Sequence, residues 1–465
     1  MSELNNFWMI TVLACAIILA GIPIAYGLGM LCLGLTVAIV GIERLPLLGS
    51  VAYGEVANYS LIAIPLFIFT AEILAAARMS DNAFNVFARR LRRIPANLAV
   101  ASNVLATILA AIMGSSAGGT AIMGRVALYP MLSRGYDPKL ACGVILAGGA
   151  LNVLIPPSTL MVLYGVITEV SIGQLLIGGL IPGLLMAMVM TVYVVGIGIF
   201  TPRRVGRMPD GSDAPLSDEA KALIEASAAS MGRGEPELPL ENVTPGKAIL
   251  RDLRIMSPLV LLLAFMSWGI YAGIATSSEI AGIGAAGAVA MVWLYRRLTL
   301  RTIKRSLLRT SSMSAMILLI VVMAEYLGRL LAFMNIPLTM VEMVKDLGWS
   351  PMAVVLAVNL LLLFLGTFLD SAAIILIFGP LFHTLMTSLG LDPVWWAMVF
   401  VINMEIALLT PPFGINLFVL KAMAPYLSSA TINRGVYPFV ALHISVLALC
   451  IFVPDLILWL PRQML

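Results

Sequence analysis

Long uncharged apolar runs constrain this chain more than any other feature. Residues 4–42, 94–124, 170–202 and 347–369 contain no Lys, Arg, Asp or Glu. A transmembrane helix needs about 20 apolar residues, whereas a transmembrane β-barrel is built from short alternating segments. Only 11% of the residues are charged, against about 25% in soluble domains. The sequence therefore predicts an all-α polytopic membrane protein.

Several function classes are excluded by residue content. No G-x-x-x-x-G-K-[ST] motif is present, so the chain does not contain the phosphate loop of an ATP-driven pump. The four cysteines and two histidines are scattered without metal-ligand spacing. His383 lies thirteen residues from Asp370, and this separation defines no catalytic dyad. We therefore expect no enzymatic activity and no organic cofactor.

Ten apolar segments are predicted to span the membrane. Two others, 96–133 and 351–388, are apolar arms interrupted by small and polar residues, and we predict that they are re-entrant hairpins. The predicted spans are residues 7–21, 24–42, 59–77, 140–168, 173–200, 255–275, 279–295, 311–335, 394–424 and 434–459.

Basic residues predict the orientation of these spans. If neither hairpin crosses the membrane, 24 of the 28 Lys and Arg residues fall on or toward the inner side, as the positive-inside rule requires. The chain then divides into a first repeat (1–200), a cytoplasmic polar linker (201–254) and a second repeat (255–465).

An internal repeat with an offset of 255 residues supports this division. The sequence 135–138, Gly-Tyr-Asp-Pro, recurs as Gly-Leu-Asp-Pro at 390–393, and the pair Pro156-Pro157 recurs as Pro411-Pro412. Five predicted spans separate the copies, so the two halves have opposite orientations. Inverted repeats with interrupted helices in matching positions are typical of secondary transporters.

The Pro-Pro pairs and Asp370 suggest an ion site. Each pair removes two amide donors and frees carbonyl groups, which cannot face lipid and must line a cavity. Asp370 has no charged residue among the 23 before it or the 21 after it. A carboxylate at the bilayer centre costs about 2.5–3.5 kcal/mol, so sodium or a proton is the expected partner. A helix N-cap is the other interpretation, and the two are compatible.

Hydroxyl and amide groups surround the same interruptions. They are candidate ligands for an ion or a polar substrate, and each alone is equally consistent with a helix–helix hydrogen bond. The predicted substrate-binding residues are Asn152, Ser158, Gly414 and Asn416. Ser115, Ser116, Thr120, Thr367, Ser371 and Thr410 add hydroxyls near the breaks, and Glu405 lies five residues before Thr410.

At these motifs the sequence resembles the large membrane subunit of tripartite ATP-independent periplasmic (TRAP) transporters. The ordered set covers nearly the whole chain. Its matching segments are 64–67 (IPLF), 114–116 (GSS), 135–137 (GYD), 155–158 (IPPS), 365–370 (LGTFLD) and 409–414 (LTPPFG).

The resemblance implies a bacterial inner-membrane, multi-pass importer of small organic acids that is driven by sodium. It also implies an elevator mechanism, a small four-helix membrane subunit and a periplasmic substrate-binding protein as partners. The implied sodium-binding residues are Ser115, Ser116, Pro156, Gly366, Thr367, Asp370 and Thr410.

Two features depart from the commoner family pattern: the longer 201–254 loop and the sequence at 413–416. The alternative function is a sodium- or proton-coupled transporter or exporter that works without a binding protein. Dependence of transport on an added periplasmic protein separates the two.

Overall fold

In the part of the chain that it describes, the computed structural model of the protein is built from helices, most of them joined by short turns. Among these residues, the only strand-like pairing is an isolated bridge between Tyr136 and Val205. The described residues are 24–76, 79–113, 116–156, 158–208, 218–230 and 272–463, with isolated positions within 12–22, 212–215 and 257–269. Most of the predicted span 7–21 and linker residues 231–254 lie outside them, and the predicted span 255–275 is described only in part.

Twenty α-helices are described, and we number them in chain order. They are α1 (Ile24–Leu35), α2 (Pro46–Val56), α3 (Ala63–Ala76), α4 (Met79–Arg90), α5 (Asn97–Met113), α6 (Ser116–Ser133), α7 (Pro138–Ala150), α8 (Thr159–Thr168), α9 (Ile172–Gly178), α10 (Leu180–Phe200), α11 (Asp218–Ser230), α12 (Ser277–Leu294), α13 (Leu300–Phe333), α14 (Ile336–Asp346), α15 (Pro351–Gly366), α16 (Ser371–Ser388), α17 (Pro393–Leu409), α18 (Ile415–Met423), α19 (Ser429–Phe452) and α20 (Asp455–Leu458).

Local capping chemistry determines where several of these helices begin. Asp392 accepts hydrogen bonds from the backbone N–H groups of Val394 and Trp395, at 2.9 and 3.0 Å, and Pro393 occupies the first helical position of α17. Ser350 caps α15 in the same way. A side-chain cap stabilises a helix by about 1 kcal/mol, and proline at the first position loses no helical hydrogen bond. The Asp-Pro motif is therefore a helix start in both halves, since Asp137 caps α7.

Five helical segments of the described chain are long and apolar enough to cross a membrane. They are Ile172–Phe200, Ser277–Leu294, Leu300–Phe333, Ser371–Ser388 and Ser429–Phe452. One of them, α16, is an arm of a predicted hairpin, so length alone does not distinguish re-entry from crossing. The sidedness of the hairpins stays a prediction.

The repeat found in the sequence is also a repeat of helices. Helices α6 and α16 begin and end at positions that differ by 255, namely Ser116–Ser133 and Ser371–Ser388. Helix α7 begins at Pro138 and α17 at Pro393, with the same offset. Each of these is followed by an interruption and then a short helix, α8 or α18. Each half therefore contains, in the same order, the two arms of a hairpin, a helix, an interruption and a short helix.

The helices are arranged in two groups, which meet where α3 packs on α5 and α13 packs on α16. Helices α1, α2, α3, α12 and α13 contact one another, while α5 to α8 and α15 to α19 form the other group. In the second group the halves interdigitate, because α6 packs on α18, α7 on α19 and α8 on α16. Glycine permits the closest of these contacts: a Cβ at Gly143 would overlap the Gly435 carbonyl oxygen, and one at Gly435 would overlap the Lys139 carbonyl.

Some helix limits differ from the predicted spans. Helix α13 begins at Leu300, about one-third of its length before the predicted start at 311. Thr299 caps it, and its basic first turns extend beyond the apolar part. Arg309 in this extension lies 3.4 Å from Glu72 of α3, so that carboxylate is paired. Hydropathy marks the part of a helix that crosses lipid, not the whole helix.

Candidate functional site

Each half of the protein supplies one helix tip and one broken helix to the candidate site. The tips join α5 to α6 and α15 to α16, and the breaks separate α7 from α8 and α17 from α18. Ser115, a predicted sodium ligand, and Pro157 lie outside the described residues. The other predicted site residues are all described.

At the second tip, Asp370 caps a helix, and its carboxylate is not paired with a basic side chain of the described residues. Its Oδ2 accepts a hydrogen bond from the Ala372 backbone N–H at 3.0 Å, at the start of α16. The Thr367 hydroxyl donates to the Phe364 carbonyl at 2.7 Å. No Lys or Arg side chain in the described chain pairs with Asp370. Among the described residues, the Asp370 carboxylate therefore lacks a cationic partner.

The second break lies against this tip. A Cβ at Gly366 would overlap that of Ala407, so α15 and α17 touch at their ends. The Ser371 hydroxyl also donates to the Met404 carbonyl of α17 at 2.9 Å. After Thr410 the chain passes through a cis Pro411-Pro412 bond before α18 begins. The segments that contain the predicted ligands Thr367, Asp370 and Thr410 are thus held side by side.

The first break is packed against the first hairpin. A Cβ at Gly119 would overlap the Asn152 amide, and one at Gly149 would overlap the Thr120 hydroxyl. Thr120 is fully buried, and its Oγ1 has no hydrogen bond within the described part of the chain. Ser158 caps α8, because its Oγ accepts from the Met161 N–H at 3.4 Å. The glycines of this tip allow a polar side chain to reach the opposite backbone.

One polar contact joins the two halves directly. The Asn416 side chain on α18 donates from Nδ2 to Ser116 Oγ at 2.7 Å, and Ser116 Oγ lies 3.1 Å from Asn416 Oδ1. Both residues are buried. A predicted ion ligand of the first half and a predicted substrate ligand of the second are therefore partners of each other.

The two breaks differ in exposure. Pro156 and Ser158 in the first are buried, whereas Pro412 and Phe413 in the second are exposed. All four predicted substrate-binding residues are buried: Asn152, Ser158, Gly414 and Asn416. The accessible surface of the site is at the second tip and the second break.

Sequence reasoning did not anticipate three polar pairs between packed helices, two of them buried and one partly buried. Glu405, expected near the cavity, instead has Oε1 3.3 Å from Nε2 of His443, with both side chains fully buried. The Asn403 amide donates to the Asn359 carbonyl at 3.0 Å, and the Tyr164 hydroxyl lies 3.3 Å from His383 Nδ1. A polar residue in an apolar helix signals a need for a partner, but sequence alone does not identify that partner.

Carboxylate, hydroxyl and freed carbonyl oxygens are the donors that hard cations prefer. The second tip and break combine all three, and no Lys or Arg side chain of the described residues pairs with the carboxylate. The donor set fits a small cation such as sodium. Repeated halves with broken helices, long apolar helices and this donor set define the class: a polytopic α-helical membrane transporter.

Comparisons agree with that class and specify the family. The chain belongs to the family described as tripartite ATP-independent periplasmic transporter, DctM component, because the sequence model of that family matches residues 11–456. A C4-dicarboxylate TRAP transporter large permease protein from Pseudomonas aeruginosa is 30% identical over 87% of this chain and 87% of its own length.

Two further comparisons, one with a relative and one with a solved structure, limit what the similarity shows. The isethionate TRAP transporter permease protein DctMQ of Oleidesulfovibrio alaskensis is 28% identical over 94% of this chain, but the chain spans only 63% of that protein. The solved structure of the Alcanivorax borkumensis YdaH transporter has a TM-score of 0.58 at 15% identity, covering 90% of this chain and 89% of that one. This likeness concerns the fold.

Proposed function

We propose that this chain is the permease subunit of a sodium-coupled, binding-protein-dependent importer of small organic acids in a bacterial inner membrane. A permease that binds and moves a solute without chemical change requires ion and substrate sites but no catalytic residues. Asp370 is the observation on which the proposal rests, because it is a carboxylate among apolar helices that pairs with no Lys or Arg side chain of the residues that the structure describes.

Sodium would be held at the second tip by Asp370, Thr367 and the Gly366 carbonyl, with Thr410 across the contact between α15 and α17. Ser115, Ser116 and Pro156 would serve in the first half. A sodium ion at Asp370 removes the uncompensated charge and admits an anionic substrate nearby. Coupling follows, because substrate affinity then depends on sodium occupancy.

Two partners belong to the proposal. A periplasmic binding protein would deliver the substrate, and a small four-helix membrane subunit would complete the assembly. The relatives support this indirectly: one is named for C4-dicarboxylates, and another carries the name DctMQ and is longer than this chain. An acidic substrate is consistent with both names, since isethionate is also an anion.

Movement would follow an elevator scheme. The group formed by α5 to α8 and α15 to α19 contains every described site residue, and the group around α3, α12 and α13 contains none. Sliding of the first group against the second would carry the whole site across the membrane. Hydrogen bonds such as Ser116–Asn416 would keep the site intact during the movement.

Uptake into proteoliposomes tests the proposal. Vesicles contain the full chain with its small membrane partner, and radiolabelled organic acids are added outside with the binding protein. We expect accumulation with an inward sodium gradient and at least a tenfold lower rate with an equal potassium gradient. A proton gradient alone should give no accumulation.

Omission of the binding protein is the decisive control. We expect the rate to fall to that of empty vesicles. Undiminished uptake without it, or uptake driven by protons in the absence of sodium, contradicts the proposal and supports the transporter or exporter that works alone.

A further inference from the structure

Three phenylalanines form an exposed row beside the candidate ion site. The rings of Phe364 and Phe368 have centroids 5.4 Å apart, and those of Phe368 and Phe413 are 5.7 Å apart. Their side chains are 62%, 42% and 51% exposed, respectively. We call this row the Phe wall. It crosses from the second hairpin to the second break, and so joins the two segments that contain Thr367, Asp370 and Thr410.

The position of the wall distinguishes it from an ordinary lipid-facing surface. Phe364 continues the exposed apolar stripe of α15 with Leu360, but Phe368 and Phe413 lie in non-helical segments. Irregular backbone at membrane depth is tolerated only where it is buried in protein or lines a water-filled cavity. Phe413 is exposed and follows the exposed Pro412, so its segment is not buried. We therefore expect Phe368 and Phe413, the two members of the wall in irregular backbone, to face a water-filled space and not lipid.

The two halves differ at the decisive position. With the offset of 255, the counterpart of Phe413 is Ser158, which is 1% exposed and caps α8. In the second half the cap position is Gly414, which has no side chain to bond α18. The second break thus has an aromatic ring facing outward where the first has a small polar group facing inward. Helix capping does not explain this ring.

An exposed aromatic pair next to a cation site is suited to a ligand that has both an aromatic ring and a carboxylate. Aromatic rings pair favourably at centroid distances of 4.5–7 Å, in stacked or edge-on arrangements. Binding pockets are mostly apolar, with a few polar groups that orient the ligand. A ligand with a carboxylate would place it toward sodium at Asp370, and its ring would lie on Phe368 and Phe413.

We infer that Phe368 and Phe413 are specificity-determining residues that select a carboxylate with an aromatic ring over an aliphatic dicarboxylate. This inference rests on the proposed function, because it assumes an organic-acid substrate and sodium at Asp370. The Phe wall therefore narrows the proposed substrates from small organic acids in general to carboxylates that contain an aromatic ring.

Cysteine accessibility tests the location of the wall. Phe368→Cys and Phe413→Cys are made singly in the full chain with its four native cysteines replaced by alanine. Each variant is reconstituted in membranes whose two faces are both accessible to the reagent. Val192→Cys, at a position 66% exposed in the middle of α10, is the matched lipid-facing control. We expect a charged, membrane-impermeant thiol reagent to label positions 368 and 413 at least tenfold faster than position 192, since a thiol in hydrocarbon does not ionise. Equal, slow labelling at all three overturns the inference.

Binding tests the selectivity. Thermal unfolding of the full chain in sodium is followed with benzoate, phenylacetate and succinate as probes. We expect stabilisation by the aromatic acids at concentrations at least tenfold lower than for succinate. Phe413→Ser should weaken benzoate binding about tenfold, as loss of one aromatic contact predicts, and leave the shift caused by sodium alone unchanged. Phe368→Ala provides a second variant should the first fail to fold.

The outcomes separate this inference from the proposed function. Equal affinity for benzoate in the wild type and both variants, or no binding of any aromatic acid, overturns the inference while a sodium shift leaves the proposed function standing. Absence of the sodium shift itself contradicts both.

Discussion

At the residue scale, the contact between Ser116 and Asn416 is the most informative single pair. Asn416 is fully buried and its amide reaches Ser116 Oγ at 2.7 Å across the two halves. A buried amide left without a partner costs about 1–3 kcal/mol, whereas removal of both partners costs less. Because of this hydrogen bond, residues of both halves form the candidate site together.

A double-mutant cycle tests this pair. Ser116→Ala and Asn416→Ala should each lower the unfolding free energy, and the double variant should lose about 1 kcal/mol less than the sum of the two. Thermal or denaturant unfolding in detergent measures the three values. Strict additivity would show that the two side chains do not interact, and that this hydrogen bond contributes nothing to the joining of the halves.

At the element scale, backbone contact between α7 and α19 fixes how the halves meet. Gly143 and Gly435 face each other's helix backbone so closely that neither position has room for a methyl group. Small residues at such crossings allow the van der Waals contact that drives helix association in membranes. The contact lies between the first Asp-Pro helix and the last long helix, and so ties the ends of the chain's two halves together.

Substitution of Gly143 tests the importance of this crossing. Gly143→Ala should lower the unfolding free energy by about 1–3 kcal/mol, because the methyl group forces the backbones apart. Gly196→Ala on α10 is the matched control, since nothing lies within 4 Å of its added Cβ. It should be neutral or slightly stabilising, as alanine favours a helix over glycine. Equal effects of the two changes on the melting temperature would show that the crossing tolerates separation.

Elements were the part of the fold that sequence predicted best. The arms 96–133 and 351–388 correspond to α5 with α6 and α15 with α16, because helix starts depend on local caps such as Ser350 and on proline spacing. The Glu325–Arg329 pair, at 3.0 Å, was also predictable from its spacing of four. The predicted span 311–335 covers the apolar part of α13 and omits its basic first turns, which carry no hydropathy signal.

At the scale of the whole molecule, lateral packing was beyond the sequence. Hydropathy and periodicity describe each helix separately, and they do not state that α6 packs on α18 or α8 on α16. The contact between Ser116 and Asn416 and the burial of Glu405 against His443 both depend on that packing. The predicted ion ligands lie beside helix tips and breaks, as their sequence positions indicate, and their role as ligands stays a prediction; their accessibility could be read only from the three-dimensional structure.

The inversion of the halves and their movement remain proposals at this scale. The group of α1, α2, α3, α12 and α13 touches the site-bearing helices through α3 and α13, and this arrangement is consistent with a fixed part and a moving part. Both depend on one chemical event, the binding of sodium at the second tip, and this event is measurable without knowledge of the substrate.

The most direct test is equilibrium binding of radioactive sodium to the purified full chain, displaced by unlabelled sodium or potassium. Asp370→Asn removes the charge but retains a side chain that caps helices as well as aspartate does, and Asp392→Asn is the same change at the start of α17. We predict saturable, sodium-specific binding in the wild type and in Asp392→Asn, and at least tenfold weaker binding in Asp370→Asn. Undiminished sodium binding in Asp370→Asn, or none in the wild type, would contradict the assignment of the site.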